Sequence, residues 1–594
     1  MRIFYSAIFL LVSFQLQAQI YDDFYGAGHQ LGITISSSSE DVDNRAQNSI
    51  TGAIDELTME EAARFLSQAT LGASYDQVAQ LRNQSYGPWI DEQMAMPIQQ
   101  PFQERVSAIW SEVEPIQENE DPTHQILDFA FYEMTMKQND LLRQRMAFAW
   151  SQILVVQTFR PQLNRVLGQA NYYDILLRHA FGNFRDMLYD ITLSVSMGEY
   201  LSSYRNQKFN PQTGAEPDEN FAREIMQLFT IGPHELSING EVVIDPTTGK
   251  PVETYDIDDV AELAKVFTGL SASKNNEGAD NGTFYLGPFR ADFTSPMKMF
   301  EDFHETGPKN FITASIPGGQ TGMQDINDAI DYLFNHPNTG PFLATRLIQH
   351  LVKSNPSPAY IARVAKVFNN NGSGTRGDLD AVTRAILLDP EARECDYINS
   401  ANNGKLLQPV ERFISLFKAF RLNTPSGKFY MNDTAEYNRE MLQGFNDAPS
   451  VFNFFEFDYA EEKNVATNDL VSPEFQIFNS VSSIAYFNKA ENSVKRRPFN
   501  NRTAPGRIAS ANRDDDPDLD FSEEIAIYQD SGLNALLDRL NILLCKGSLT
   551  NELREIITNT VSSNIENLNN YSEEDVVHDC VYYIVTSSDY MIQL

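Results

Sequence analysis

Cysteine is nearly missing from this chain, with three in 594 residues, at Cys395, Cys545 and Cys580. None has the close CxxC spacing of a zinc site, and an odd count leaves at least one thiol unpaired in an oxidising compartment. A Cys545 to Cys580 bridge and three buried thiols in a helical core are the two arrangements open to them. Positive charge is short as well: 45 Lys and Arg stand against 81 Asp and Glu, a formal net charge of -36. So negative a surface repels phosphate backbones and disfavours nucleic acid as a partner. The densest basic run, Lys495, Arg496, Arg497 and then Arg502, is too short for a groove and reads as a loop. The eight histidines are dispersed, with no HExxH and no pair one helical turn apart, so no motif-defined zinc enzyme is indicated. GxSxG elbows, Walker loops and strand-following GxGxxG loops are all missing, and no cysteine has a neighbouring histidine motif, so neither serine or cysteine hydrolase chemistry nor nucleotide chemistry has local support, and no cofactor is indicated by motif.

Long apolar runs are confined to the start. In MRIFYSAIFLLVSFQLQAQ, Arg2 precedes an apolar run ending at Leu16, and Ala18 supplies a small residue for cleavage. This is the pattern of a secretory signal peptide over residues 1–18, shorter than the roughly 20 residues of a membrane span. Export to the periplasm, cell surface or exterior is therefore expected, with no transmembrane span in the mature chain. Residues 19–57 are polar and read as a disordered lead-in.

Helical periodicity begins sharply at Thr58, which with Glu61 has the spacing of a capping box ahead of Ala62, Phe65 and Leu66. It dominates a body over residues 58–487. Two segments depart from it. Residues 241–255, EVVIDPTTGKPVETY, place β-prone runs on either side of a turn-rich Asp-Pro-Thr-Thr-Gly and read as an inserted hairpin. Residues 271–322, rich in Gly, Asn, Pro and aromatics, read as a long irregular loop, which inside a compact body points to function or disorder. A polar linker over 488–520 and a C-terminal helical segment over 521–594 complete the organisation. In that segment Ser572 and Asp575 mark a second capping-box start. The predicted class is mainly α: a large multi-helical body with a small inserted hairpin and a long loop.

The densest pattern is PDENFAREIMQLFTIG at residues 217–232. Phe221, Ile225, Leu228 and Phe229 have the spacing of a buried helical face. Glu219 and Arg223 form an i, i+4 pair in the favourable order, with Asn220 and Glu224 spaced alike. This helix, together with AARFLSQATLG at 62–72, WIDEQ at 89–93, LRQRMAFAWSQILVV at 142–156, LLRHAFGNFRDML at 176–188, DDVAELAKVFTGL at 258–270, GTRGDLDAVTRAILLDPEAR at 374–393, KLLQPVERF at 405–413, APSVFNFFEFDY at 448–459 and SPEFQ at 472–476, resembles the bacterial family called domain of unknown function 1800. The blocks run in the family's order from about residue 58 to the end. The resemblance implies an uncharacterised activity and a frequent companion, another exported protein. Some members carry histidines just after the tryptophan matching Trp150; here Ser151, Gln152 and Ile153 stand there, which weakens a metal reading of that helix.

The chemistry left is a carboxylate constellation. Glu219 and Glu224 sit about 140° apart around a helix and do not share a face, so they make an awkward acid/base pair by themselves. Glu224 could work instead with Asp259 or His304, while Arg223, His304 and Lys309 supply positive charge or donors to an anionic group. The competing reading makes these residues buried ion pairs that lock the long loop onto the body. His179 reads as a core or capping histidine. Residues 369–380, NNNGSGTRGDLD, place Asn369, Asn371, Ser373 and Asp380 at positions 1, 3, 5 and 12 of a calcium-type loop, short of carboxylates. The acidic run from Asp514 to Asp520 reads as solvated linker. Two functions follow as expectations: a binding or assembly protein acting with another exported protein, or a secreted hydrolase-type enzyme built on Glu224 and His304.

Overall fold

The structure is a computed structural model, and it describes residues 57–113, 125–157, 163–274, 283–287, 290–394, 403–431, 439–460, 470–495 and 516–594. The signal peptide, nearly all of the lead-in, Cys395, and Asp514 and Asp515 lie outside the described residues. The fold is mainly α with small antiparallel strand pairs, as the periodicity predicts.

The first half is a run of helices: α1 (Met59–Ala69), α2 (Tyr75–Arg82), α3 (Tyr86–Ala95), α4 (Phe102–Val113), α5 (Gln125–Lys137), α6 (Leu141–Ile153), α7 (Leu163–His179), α8 (Phe184–Thr192), α9 (Val195–Tyr200), α10 (Asn220–Gln227) and α11 (Ile257–Val266). The β1 (Leu270–Ser271) and β2 (Lys298–Met299) strands pair, as do β3 (Lys309–Phe311) and β4 (Ala314–Ile316). The second half continues with α12 (Gly322–Asn335), α13 (Thr339–Leu351), α14 (Pro358–Asn369), α15 (Leu379–Leu387), α16 (Pro390–Arg393), β5 (Lys405–Leu406), α17 (Pro409–Ala419), α18 (Ser480–Lys495), α19 (Ser522–Leu540), α20 (Asn551–Asn567), α21 (Glu573–Val585), α22 (Ser588–Met591) and β6 (Ile592–Gln593).

Local chemistry starts many of these helices. Thr58 and Glu61 form the reciprocal box expected of them, as do Ser572 and Asp575. Such a box satisfies two orphan N–H groups at a helix start and contributes roughly 1 kcal/mol. The region expected as one irregular loop carries three of the small strands, and the expected linker opens inside a helix, since α18 runs to Lys495. Short strands in glycine-rich, weakly periodic sequence leave little local signal.

One hydrophobic core runs from Phe65 through Trp150, Leu347 and Phe417 to Val581. The β5–β6 pairing returns the C-terminal residues to the middle of the body, and the Gln593 side-chain amide donates to the Leu351 and Val352 carbonyls at 2.9 and 3.0 Å. Inside the core lies a charged network. Arg145 of α6 pairs with Glu411 of α17 and donates to the His350 carbonyl at 2.6 Å and to the Gln68 carbonyl at 3.3 Å. Lys405 lies 3.5 Å from both Glu411 and Glu474 and donates to the same His350 carbonyl at 2.7 Å. Burial would push the Glu411 carboxyl up, but the Arg145 and Lys405 charges hold it below the usual carboxylate range. Burial, aided by Lys405, Arg145 and Arg346, keeps the His350 imidazole far below its ordinary value, hence neutral.

Glu411→Gln strands Arg145 and Lys405 without their shared anion and is expected to cost about 3–5 kcal/mol, read by urea unfolding. Asp538→Asn, at the surface pair with Arg554 where Asp538 is 71% exposed, is expected to change stability by about 0.5 kcal/mol or less.

Candidate functional site

The apolar face of the 217–232 helix buries Phe221, Ile225 and Phe229, and the Phe221 ring meets Phe267 edge-on at 4.8 Å, fastening α10 to α11. Met226, unassigned by the spacing argument, is equally buried, while Leu228 is half-buried. Glu219 sits at the N-cap position and pairs with Arg223 at 3.0 Å on the half-exposed side. The Asn220 N–H donates to Asp218 Oδ1 at 2.9 Å.

Glu224 points the other way. It is 6% exposed, and among the described residues no hydrogen bond or ion pair reaches its carboxylate; Oε2 is buried without a partner. Burial raises its pKa, with Arg223 opposing in part. Tyr200 and Tyr255 stand close enough to feel its charge, and burial together with Glu224 pushes both phenols up to about 12. A carboxyl in this setting stays neutral to higher pH than usual and can donate a proton or a hydrogen bond.

His304 and Lys309 belong to another cluster. His304 is fully buried, and its Nδ1 lies 2.9 Å from the Thr268 carbonyl. A carbonyl only accepts, so Nδ1 carries a proton. Its Nε2 lies 2.9 Å from Asp325 Oδ2 and 3.3 Å from Lys309 Nζ. Lys309, itself buried, donates to Asp325 Oδ2 and to the Glu305 carbonyl, and Gln320 donates to Asp325 Oδ1 at 3.0 Å. Burial alone would raise the Asp325 pKa, but the bonds from Gln320, Lys309 and His304 outweigh it and hold the carboxyl below its ordinary value. Close approach at Gly269 completes the joint: its φ is +86°, and a Cβ there would lie 2.8 Å from Met299 Sδ and 3.1 Å from His304 Cβ.

Asp259 is occupied too. It closes the capping box of α11 with Asp256 and accepts the N–H of Ile312, whose φ is 54° in the β3–β4 turn. The structure thus brings His304 and Lys309 together, but around Asp325 rather than Glu224. Among the described residues no hydrogen bond or ion pair joins Glu224 to His304 or Asp259, because the His304 nitrogens are already engaged and Glu224 faces Tyr200 and Tyr255. Asp325 went unrecognised in the sequence, where it reads only as an acid in the first turn after the Thr321 cap. Asp128 is another buried carboxyl without a sequence signal; burial, aided by the Asp447 charge, raises its pKa well above the ordinary value.

In the calcium-type loop the side-chain oxygens serve the protein itself. Asn369 accepts from Arg376, and Asn371 Oδ1 accepts from the Ser373 hydroxyl at 2.8 Å. The Asn371 amide donates to Asp378 at 2.6 Å, and Asp380 pairs with Arg384 at 2.5 Å. Among the described residues no group of three or more His, Cys, Asp or Glu is arranged to hold a metal. His179, the last residue of α7, lies 2.8 Å from Asp190, and the imidazole holds that carboxyl below its usual range. Cys545 and Cys580 are free and buried, and burial pushes both thiols up. No helix among the described residues is long and apolar enough to cross a membrane.

Fold and site together define a large mainly α protein whose signature helix isolates one buried carboxyl beside a separate charged joint. The chain belongs to the family described as "Protein of unknown function (DUF1800)", whose model matches residues 64–592. No curated protein and no solved structure matches it significantly.

Asp325→Asn leaves Lys309 buried without its anion and is expected to cost about 3–5 kcal/mol near neutral pH. The Asp325 pKa is depressed on folding, so its stabilisation is present above the ordinary carboxylate value and lost as pH falls through the folded one. Melting curves of wild type and Asp325→Asn should therefore converge as pH is lowered from about 7 to about 3.

Proposed function

We propose that this protein is an exported cell-envelope or extracellular binding and assembly protein that acts with another exported protein. The observation that carries the reading is an apolar, acid-rimmed ribbon. Residues 234–236, 242–244 and 251–253 meet through the bridges His234–Glu253, Leu236–Val242 and Ile244–Pro251, so the segment expected as a hairpin doubles back twice. Val242 and Ile244, two apart and hence on one face of the ribbon, are 41% and 50% exposed, and Ile238 at its first turn is 39% exposed. Glu235, Glu241, Asp245 and Glu253 lie along the same segment, with Lys250 its single base. An exposed β-branched strip flanked by carboxylates suits a partner whose apolar contact surface has a basic rim. The net charge of -36 favours the same kind of partner. The engagement of His304, Lys309 and Asp259 in internal joints also supports a binding role over the hydrolytic one.

A hydrolase-type reading retains one support, the buried and unpartnered Glu224 carboxyl, which could serve as a general acid or base.

Native mass spectrometry of the mature protein recovered from its host is expected to show a basic exported protein bound to wild type and lost from Ile238→Ser/Val242→Ser/Ile244→Ser. A bare wild-type monomer would count against the assembly reading. Glu224→Gln removes the cost of a buried unpaired charge. The Glu224 pKa is raised on folding, so the carboxyl is best tolerated below its unfolded value and increasingly costly as pH rises through the folded one. The variant should therefore melt at or above the wild-type temperature at about pH 8 and approach it at about pH 4. Retained partner binding in that variant would separate Glu224 from the assembly role.

A further inference from the structure

Below the last turn of α17 lies a cleft of about 760 Å³, walled by the α5–α6 connection, the start of α2 and residues 516–520. Residues 422–425 complete one wall, where Asn423 and Asp518 exchange backbone hydrogen bonds at 3.0 and 3.1 Å. Met136, Leu141, Phe417, Leu422 and Leu519 supply the apolar part of a mixed lining, to which Lys418 also belongs. Lys418 is 9% exposed, and among the described residues no hydrogen bond or ion pair reaches its ammonium. Other lysines of the interior are paired, as Lys309 is with Asp325 and Lys353 with Glu391. A nine-tenths buried, unpartnered lysine facing an open cleft is costly to folding unless the cleft uses it.

We propose that Lys418 is the capture amine of a small-molecule pocket that takes an aldehyde or ketone as an imine. Its unprotonated Nζ attacks the carbonyl carbon and forms the C–N bond. The carbonyl oxygen takes up protons and leaves as water as the C=N bond forms, so no oxidant or reductant is required. Burial supports this by drawing the Lys418 pKa down to about 8, against the opposing charge of Asp140. That leaves a free-amine fraction near neutral pH on the order of 100-fold above that of an exposed lysine. Asp140 of the α5–α6 turn is the charge that acts on it, while Arg421 beyond α17 and Asp516, Asp518 and Asp520 of the facing segment are the other charged groups lining the cleft; the start of α2 brings only Ser74 and Gln77. Arg421 is drawn aside by Glu523 at 2.6 Å and Asp520 at 3.5 Å.

The test treats the full mature chain with pyridoxal, an aldehyde, and cyanoborohydride to fix the imine as a secondary amine, then maps the modified lysines by peptide mass spectrometry. Lys418 should be modified at least about tenfold faster than exposed Lys250 and Lys366, with a rate that saturates in pyridoxal and rises to half its maximum near pH 8. Leu519→Trp, which fills the cleft, should slow Lys418 and leave Lys250 and Lys366 unchanged. The wild-type comparison needs no variant to fold. Modification of Lys418 no faster than the two exposed lysines, or a rate strictly linear in pyridoxal, overturns the proposal.

Discussion

The body depends on the enclosure of Glu411 between two cations. Arg145 and Lys405 arrive from α6 and β5, and the carbonyl of His350 in α13 accepts from both. Removing charge from water is expensive, so such a network persists only where each charge has partners on several sides. That requirement sets the approach of α6, α13 and α17 and the position of β5, on which β6 and hence the C-terminal segment are built. The carboxylate is used twice, since Glu411 also accepts the backbone N–H of Gln408 and starts α17.

The joint at His304, Lys309 and Asp325 repeats this logic at smaller scale. It fastens the segment after β2 to the start of α12 and the end of α11, with Asp259 and Glu262 of α11 holding the backbone of the neighbouring hairpin. One acid and two basic side chains that resemble active-site material are engaged in fixing irregular chain to helices. Glu224 differs because among the described residues no hydrogen bond or ion pair reaches it: its raised pKa comes from burial, which the Arg223 charge offsets only in part, whereas the lowered value of Asp325 comes from hydrogen bonds and charge. Contrasting environments of this kind separate a poised group from a structural one.

Much of the fold was legible in the sequence. The capping boxes at Thr58 and Ser572, the buried stripe of Phe221, Ile225 and Phe229, and the Glu219–Arg223 pair involve residues three to eight apart, where helix geometry alone dictates who meets whom. The strands within 271–322 were not legible, because two- and three-residue strands carry too little periodicity. Nor was Asp325, which looks like any acid near a helix start. The expected meeting of Glu224 with His304 failed for a related reason: spacing along a helix tells which way a side chain points relative to its neighbours, but not which other helix stands there.

The sequence by itself determined the family, the mainly α class and the helix starts, because these rest on local geometry and on the order of motifs along the chain. Only the tertiary structure decided which charges are buried and with whom. Arg145 and Glu411 are 266 residues apart, and whether a carboxylate is neutralised like Asp325 or left alone like Glu224 depends on desolvation by segments that no local pattern brings together.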